Sequence, residues 1–207
     1  MLHFLKSFLG ICQTPQTPSQ VEVSELGAEA EPTPPASLTN HKSKPASVSG
    51  LPAVSTADRN LVAFLWVIRH CEGTSDVLGY RRLFGGKNFE NYSEHPNIKT
   101  AFKLGGKVLY STAAGAYQFL YSTWTSLVRM HGYKDFSPDS QDKGATELIK
   151  GRKALQDVYD GNFEEALTKC AKEWASLPGS PYGQPVKTLA FCKKIYEQYG
   201  GTYGSNS

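Results

Sequence analysis

Residues 61–74 read LVAFLWVIRHCEGT. Counted at 3.6 residues per turn, Leu61, Phe64, Leu65 and Ile68 fall on one stripe, and Glu72 continues that stripe. Ser55, with Asp58 three residues on, predicts a capped helix start. Gly73 predicts the stop, which leaves Glu72 in the last helical turn. Acids are almost never fully buried without a partner, so a carboxylate closing an apolar stripe is a candidate for chemistry. Partial burial and the negative end of the helix dipole both disfavour its charged form, which predicts a raised pKa suited to a general acid. The plain alternative is a frayed helix end with Glu72 in solvent.

From residue 80 to 110 the pattern changes. Gly85-Gly86 and Gly105-Gly106 punctuate short segments rich in Tyr, Phe and Val, and Ser93-Glu94-His95-Pro96 interrupts them. A small irregular antiparallel sheet is predicted. The acids here, Asp76, Glu90 and Glu94, are candidates for a second carboxylate and also ordinary loop acids. The run Ser111-Thr-Ala-Ala-Gly-Ala-Tyr117-Gln118 follows; its small residues allow tight turning, and Tyr117 and Gln118 add an aromatic face and an amide. The remainder reads helical. Ser122 is expected to cap a helix ending at Gly132, and Ser137 with Pro138 opens one running to about Lys150. A short helix covers residues 152–160, another runs from Asn162 to about Trp174, and the last spans residues 186–199. The loop Ser176-Leu-Pro-Gly-Ser-Pro-Tyr182-Gly-Gln184 separates the final two.

Composition divides the 207 residues. Up to about Ala57 there is no Trp or Tyr, yet more than half of the prolines fall there. This predicts a disordered leader (1–57) and one globular domain (58–203). The first dozen residues place Leu2, Leu5, Phe8, Leu9 and Cys12 at helical spacing but are far too short to span a bilayer. An amphipathic peptide docking on a membrane surface or a virion protein stands beside an unstructured start. Lys6 breaks any signal-like run, and Ile11 stands where a lipoprotein signal would carry a small residue. A net charge of +3 without a basic stripe argues against nucleic acid. Cys12, Cys71, Cys170 and Cys192 show no C-x-x-C spacing, so all are read as thiols rather than zinc ligands; Cys170 and Cys192, on successive helices, are a candidate pair. The sequence holds no GxGxxG, Walker, HExxH or GxSxG motif.

Several stretches, in colinear order, resemble the lambda-type phage endolysins of the lysozyme-like superfamily. They are Cys71-Glu72-Gly73-Thr74, Tyr92-Ser93-Glu94-His95-Pro96, Ser111-Thr112 through Gly115-Ala116-Tyr117-Gln118, Lys134-Asp135-Phe136-Ser137-Pro138 with Ser140-Gln141-Asp142, and Trp174 through Gly179 with Tyr182-Gly183-Gln184. The resemblance implies an α+β, lysozyme-like fold, mainly helical, with a small antiparallel sheet forming one wall of a cleft. It implies Glu72 as the catalytic acid and a glycan cleft lined by Tyr117, Gln118, Ser176, Tyr182 and Gln184. Ala116 departs from the family, where a larger basic residue can stand, and the leader is absent from compact members. The implied activity is lytic transglycosylation of peptidoglycan, in which the muramic C6 hydroxyl replaces a second carboxylate. No metal or cofactor is implied, and the domain is expected to act as a monomer on glycan strands. Hydrolysis using Glu94 or Asp76, or a non-catalytic glycan-binding virion component, are the alternatives. Access to the wall would come by release from the host cytoplasm through a holin-type lesion, or by carriage on the virion. Deleting residues 1–54 is expected to leave activity on purified peptidoglycan unchanged in a turbidity assay, since the spacer composition supplies no core.

Overall fold

A computed structural model describes residues 55–204 with the exception of Gln184. The predicted leader, with Cys12 and its apolar start, therefore falls almost wholly outside the described residues. Helix α1, Thr56–Glu72, begins directly after Ser55, the cap the sequence predicts. The Ser55 hydroxyl accepts from Asp58 N–H at 3.0 Å and donates to the Asp58 carboxylate at 2.6 Å. Phe64, Leu65 and Ile68 are buried as the stripe predicts, and Leu61 is partly so. Ala63, Val67 and Cys71 are buried as well, which widens the buried face well beyond one stripe.

Strands β1 (Thr100–Leu104) and β2 (Lys107–Ser111) pair antiparallel, Thr100 opposite Ser111 and Leu104 opposite Lys107. Gly105 and Gly106 join them at φ 54° and 77°, the two positive values that a tight hairpin turn of this twist requires. Ala114 bridges both Leu83 and Phe119, so the chain after β2 folds back onto residues 82–89. Together these form the small irregular sheet expected.

Five helices follow: α2 (Tyr121–His131), α3 (Pro138–Gly151), α4 (Leu155–Asp160), α5 (Phe163–Cys170) and α6 (Leu189–Gln198). Ser122 does not cap α2; the N-cap is Leu120, and Thr112 Oγ1 accepts the Tyr121 N–H at 3.1 Å. A hydroxyl just past the hairpin replaces the local cap. Helix α3 starts as predicted, with Ser137 accepting from Ser140 N–H and Pro138 in the first turn. Helix α4 starts later than Arg152 because Lys153 turns left-handed at φ 57°. Helix α5 stops at Cys170, four residues before Trp174; beyond it Glu173 and Trp174 N–H both close on Cys170 O, and Arg152 and Tyr182 donate to Lys172 O. Helix α6 starts at Leu189, since Thr188 accepts from Phe191 N–H. Helix α1 packs against α3, α4 and α6, which explains its wide buried face. None of the described helices is long and apolar enough to cross a membrane.

Phe89, Phe119, Trp124 and Phe136 form an aromatic cluster, and His95, 3% exposed, packs against Phe136 and Tyr121. Its Nε2–H donates to Phe119 O at 2.8 Å, and its Nδ1 accepts from Asn97 N–H at 3.1 Å. Those partners fix a neutral tautomer. Burial pushes the pKa down to about 4 from 6.5, so the unfolded chain binds this proton first as pH falls. The sign follows: His95 supports the fold fully above pH 6.5 and progressively less from there down to about pH 4. Urea unfolding of wild type beside His95→Gln is expected to show a steeper loss in wild type across that window, by up to about 1.4 kcal/mol per pH unit.

Candidate active site

Glu72 is the final residue of α1 and is half-buried. Gly73 follows at φ 71°, with Gly73 N–H bonded to His70 O and Thr74 N–H to Arg69 O. This two-bond closure stops the helix at Glu72 and gives its side chain a fixed origin. Thr74 is completely buried, and its hydroxyl reaches Ala116 O in the loop after β2. The Arg69 guanidinium donates to Thr74 O and Asp76 O from inside and lies over the Trp66 and Tyr80 rings at 4.0 and 4.4 Å. Gly79 lies against the same turn, where a Cβ would stand 1.7 Å from Thr74 O.

The decisive contact comes from far along the chain: the Ser176 hydroxyl donates to Glu72 Oε1 at 2.7 Å. Ser176 sits in the segment after α5. Trp174 Nε1 there donates to Tyr117 O at 3.2 Å, and Lys187 N–H donates to Ser176 O at 3.0 Å. On its other side Arg152 places Nε and Nη2 on Glu173 Oε2 at 3.1 and 2.7 Å and donates to Lys172 O. Tyr182, half-buried on the same loop, donates its hydroxyl to Lys172 O at 3.0 Å.

The other predicted ligands are placed differently. Tyr117 is only 2% exposed; its ring packs edge-on to Phe119 and its hydroxyl donates to Asp142 at 2.6 Å. It therefore does not present a ring face for a sugar, which corrects the expectation. Gln118, 7% exposed at φ 47°, donates from Nε2 to Gly115 O and Arg82 O and so braces its own turn. Gln184 lies outside the described residues. The sequence could not separate an inward from an outward tyrosine in a loop of small residues that lacks any period.

Four residues with structural duties around the site carried no assigned role: Arg69, Thr74, Gln141 and Asp142. Gln141, fully buried, accepts from Ala116 N–H and donates to Tyr80 O and Phe136 O, tying α3 to the loop after β2. Gly115 makes room for it, since a Cβ there would lie 2.2 Å from Gln141 Oε1. Asp142 accepts both the Tyr80 and Tyr117 hydroxyls. Burial, reinforced by Asp142, pushes the Tyr80 phenol up to about 12 and Tyr117 well above its ordinary value, so both stay donors at neutral pH. Thr74, Gln141 and Asp142 stand in the stretches that carry the family resemblance, and Arg69 is a cation eight residues after Leu61 on the apolar stripe. A recess of about 590 Å³ lined by Asn162, Phe163, Glu164, Glu165, Lys193, Glu197 and Tyr203 contains none of the site residues.

The Arg152–Glu173 pair buries a carboxylate 6% exposed. Arg152→Met is expected to destabilise the fold by about 2–4 kcal/mol, because Glu173 loses its forked cation. Adding Glu173→Gln is expected to recover part of that loss, read as a coupling energy in a double-mutant cycle by chemical denaturation.

Residues 62–203 match the family model described as Endolysin. Among curated proteins, the endolysin of Escherichia phage lambda is 41% identical over 146 residues, covering 68% of this chain and 90% of that protein. The endolysin of Escherichia phage P2 is 36% identical over 166 residues, covering 73% and 98%. Among solved structures, bacteriophage lambda lysozyme complexed with a chitohexasaccharide aligns with a TM-score of 0.66 at 34% identity, covering 74% of this chain and 99% of that one. A second structure, lysozyme from bacteriophage lambda, aligns at 0.64 and 33% identity with the same coverage. With this fold, an acid closing its first helix and that agreement over nearly the whole of its relatives, the chain belongs to the endolysin family.

Proposed function

We propose that this endolysin is a peptidoglycan lytic transglycosylase. It cleaves the β-1,4 bond between N-acetylmuramic acid and N-acetylglucosamine, leaves a 1,6-anhydro end, and acts in bacteriophage degradation of the host wall. The observation that carries the reading is the hydrogen bond from Ser176 to Glu72, which holds one carboxyl oxygen in a fixed direction. The bond from Ser176 orients the carboxyl group for proton transfer. In the first step the Glu72 carboxyl protonates the glycosidic oxygen, the C1–O bond breaks, and positive charge develops at C1 and the ring oxygen. In the second, the C6 hydroxyl of the same muramic residue attacks C1 and its proton passes to the Glu72 carboxylate, which returns the enzyme to its starting state.

Support for a single-acid mechanism comes from the neighbouring carboxylates. Asp76 Oδ2 is paired with Arg82 Nη2 at 2.6 Å, and its Oδ1 accepts from Leu78 N–H, so both oxygens are engaged. Glu90 lies 3.7 Å from Arg81 and is almost fully exposed. Glu94 is likewise exposed. The glycan bound to lambda lysozyme supports a polysaccharide substrate for this relative. Tyr182 is assigned to a sugar face and Gln184 to an N-acetyl group, on the same loop as Ser176.

Glu72→Gln is expected to lower the rate of wall lysis by roughly 10²–10⁴-fold with the fold retained, as loss of a general acid does. Ser176→Ala is expected to lower it by roughly 10- to 100-fold, the scale of one hydrogen bond to a carboxylate. Mass spectrometry of digested wall checks the chemistry: borohydride-resistant anhydromuramic ends are expected. Reducible N-acetylmuramic ends, lost in Glu94→Gln, would establish hydrolysis instead.

A further inference from the structure

Two cysteines meet where the end of α1 faces the start of α6. Cys71 and Cys192 are 1% and 0% exposed, and their Sγ atoms lie 3.6 Å apart, at van der Waals contact. The chain order suggested Cys170 as the partner of Cys192; the fold brings Cys71 to it instead, because α6 packs along α1. Both backbones are fixed, one by the closure at Gly73 and the other by the Thr188 cap. Rotation about the side-chain torsions is therefore the main movement that bond formation needs.

We propose that Cys71 and Cys192 are a thiol-oxidation site that closes to an intramolecular disulfide when the chain meets a disulfide oxidant, either a low-molecular-weight disulfide or an oxidised protein dithiol. Cys192 is the attacking sulfur: hydrogen bonding from the Cys71 S–H lowers its pKa, and Lys187 acts in the same sense. The same contact, with burial, pushes the Cys71 thiol up. When the contact between α1 and α6 opens locally and exposes it, the Cys192 thiolate attacks one sulfur of the oxidant, forming a mixed disulfide and expelling the first thiolate. Cys71 then gives up its proton, attacks Cys192 Sγ and expels the second. Two cysteine thiols are oxidised, one disulfide is reduced to two thiols, and no other reactant is needed.

Cys170 is excluded by its surroundings. Cys192 Sγ already stands at 3.6 Å from Cys71 Sγ, and burial pushes the Cys170 thiol up to about 12, so the thiolate needed for attack is scarce there. The bond would span 121 residues of sequence and tie the helix that ends in Glu72 to the last helix of the domain. A link across so long a loop removes much of the unfolded chain's freedom. The chain would thus be a plain dithiol in a reducing compartment and a stapled one in an oxidising compartment, whatever reaction Glu72 performs.

The test uses the full chain treated with oxidised glutathione, followed by alkylation in denaturant and non-reducing peptide mapping. The expected result is one peptide pair joining Cys71 to Cys192, with Cys170 alkylated. Tm is expected to rise by roughly 5–15 °C and to return on adding dithiothreitol. Neither Cys71→Ala nor Cys192→Ala should show the rise. Recovery of Cys71 and Cys192 as free thiols, or joined to Cys12, Cys170 or glutathione, would overturn the proposal. So would a linked pair that melts with the reduced protein.

Discussion

The hydrogen bond between Ser176 and Glu72 joins positions 104 residues apart, and its geometry survives only if both ends are held independently. On the Glu72 side the helix is stopped by Gly73 and the following turn is gripped by Arg69 and Thr74. On the Ser176 side the segment leaving α5 is drawn one way by Arg152 and the other by Trp174, whose indole reaches the backbone of Tyr117. A hydroxyl–carboxylate contact is directional and short in range, so a displacement of 1 Å at either end would forfeit it. The surrounding polar contacts are best understood as limits on that displacement.

The interior is more polar than a hydrophobic core requires. Gln141, Asn60, His95, Arg69 and Thr74 are all at least nine-tenths buried, and each has hydrogen-bond partners. Apolar contacts favour compactness and are indifferent to small sliding. Partnered polar groups favour one register, because a slip strands a donor or acceptor away from water. Asn60 illustrates this at the far end of α1: it donates to Tyr159 O and accepts from Thr202 N–H, so the C-terminal segment and α4 are registered on the helix that carries the acid. Gln141 does the same for the loop after β2. These registrations let a mainly helical domain hold the loop after β2 against the turn that follows Glu72, and Ser176 against the carboxyl group itself.

Read residue by residue, the sequence determined the elements whose causes are local. The capped start of α1, its stop after Glu72, the Ser137-Pro138 opening of α3 and the Gly105-Gly106 hairpin each depend on residues within four or five positions of one another, so the pattern alone suffices. The apolar stripe also led to Glu72, while Ser176 came only from the family resemblance. Elements went astray where the controlling group is distant. The Tyr121 N–H at the start of α2 is taken by Thr112, and the Lys172 carbonyl just beyond α5 is taken by Arg152 and Tyr182.

Side-chain direction in irregular segments was decided by tertiary structure alone. Tyr117 and Gln118 stand in a loop with no period, so nothing in their spacing says that one faces Asp142 and the other its own turn. The meeting of Cys71 with Cys192 depends likewise on how two helices lie together, which the chain between them does not encode at any single position. Local rules fix backbone dihedrals; which loops converge on Glu72 follows from packing six helices at once, and that is a property of the whole chain.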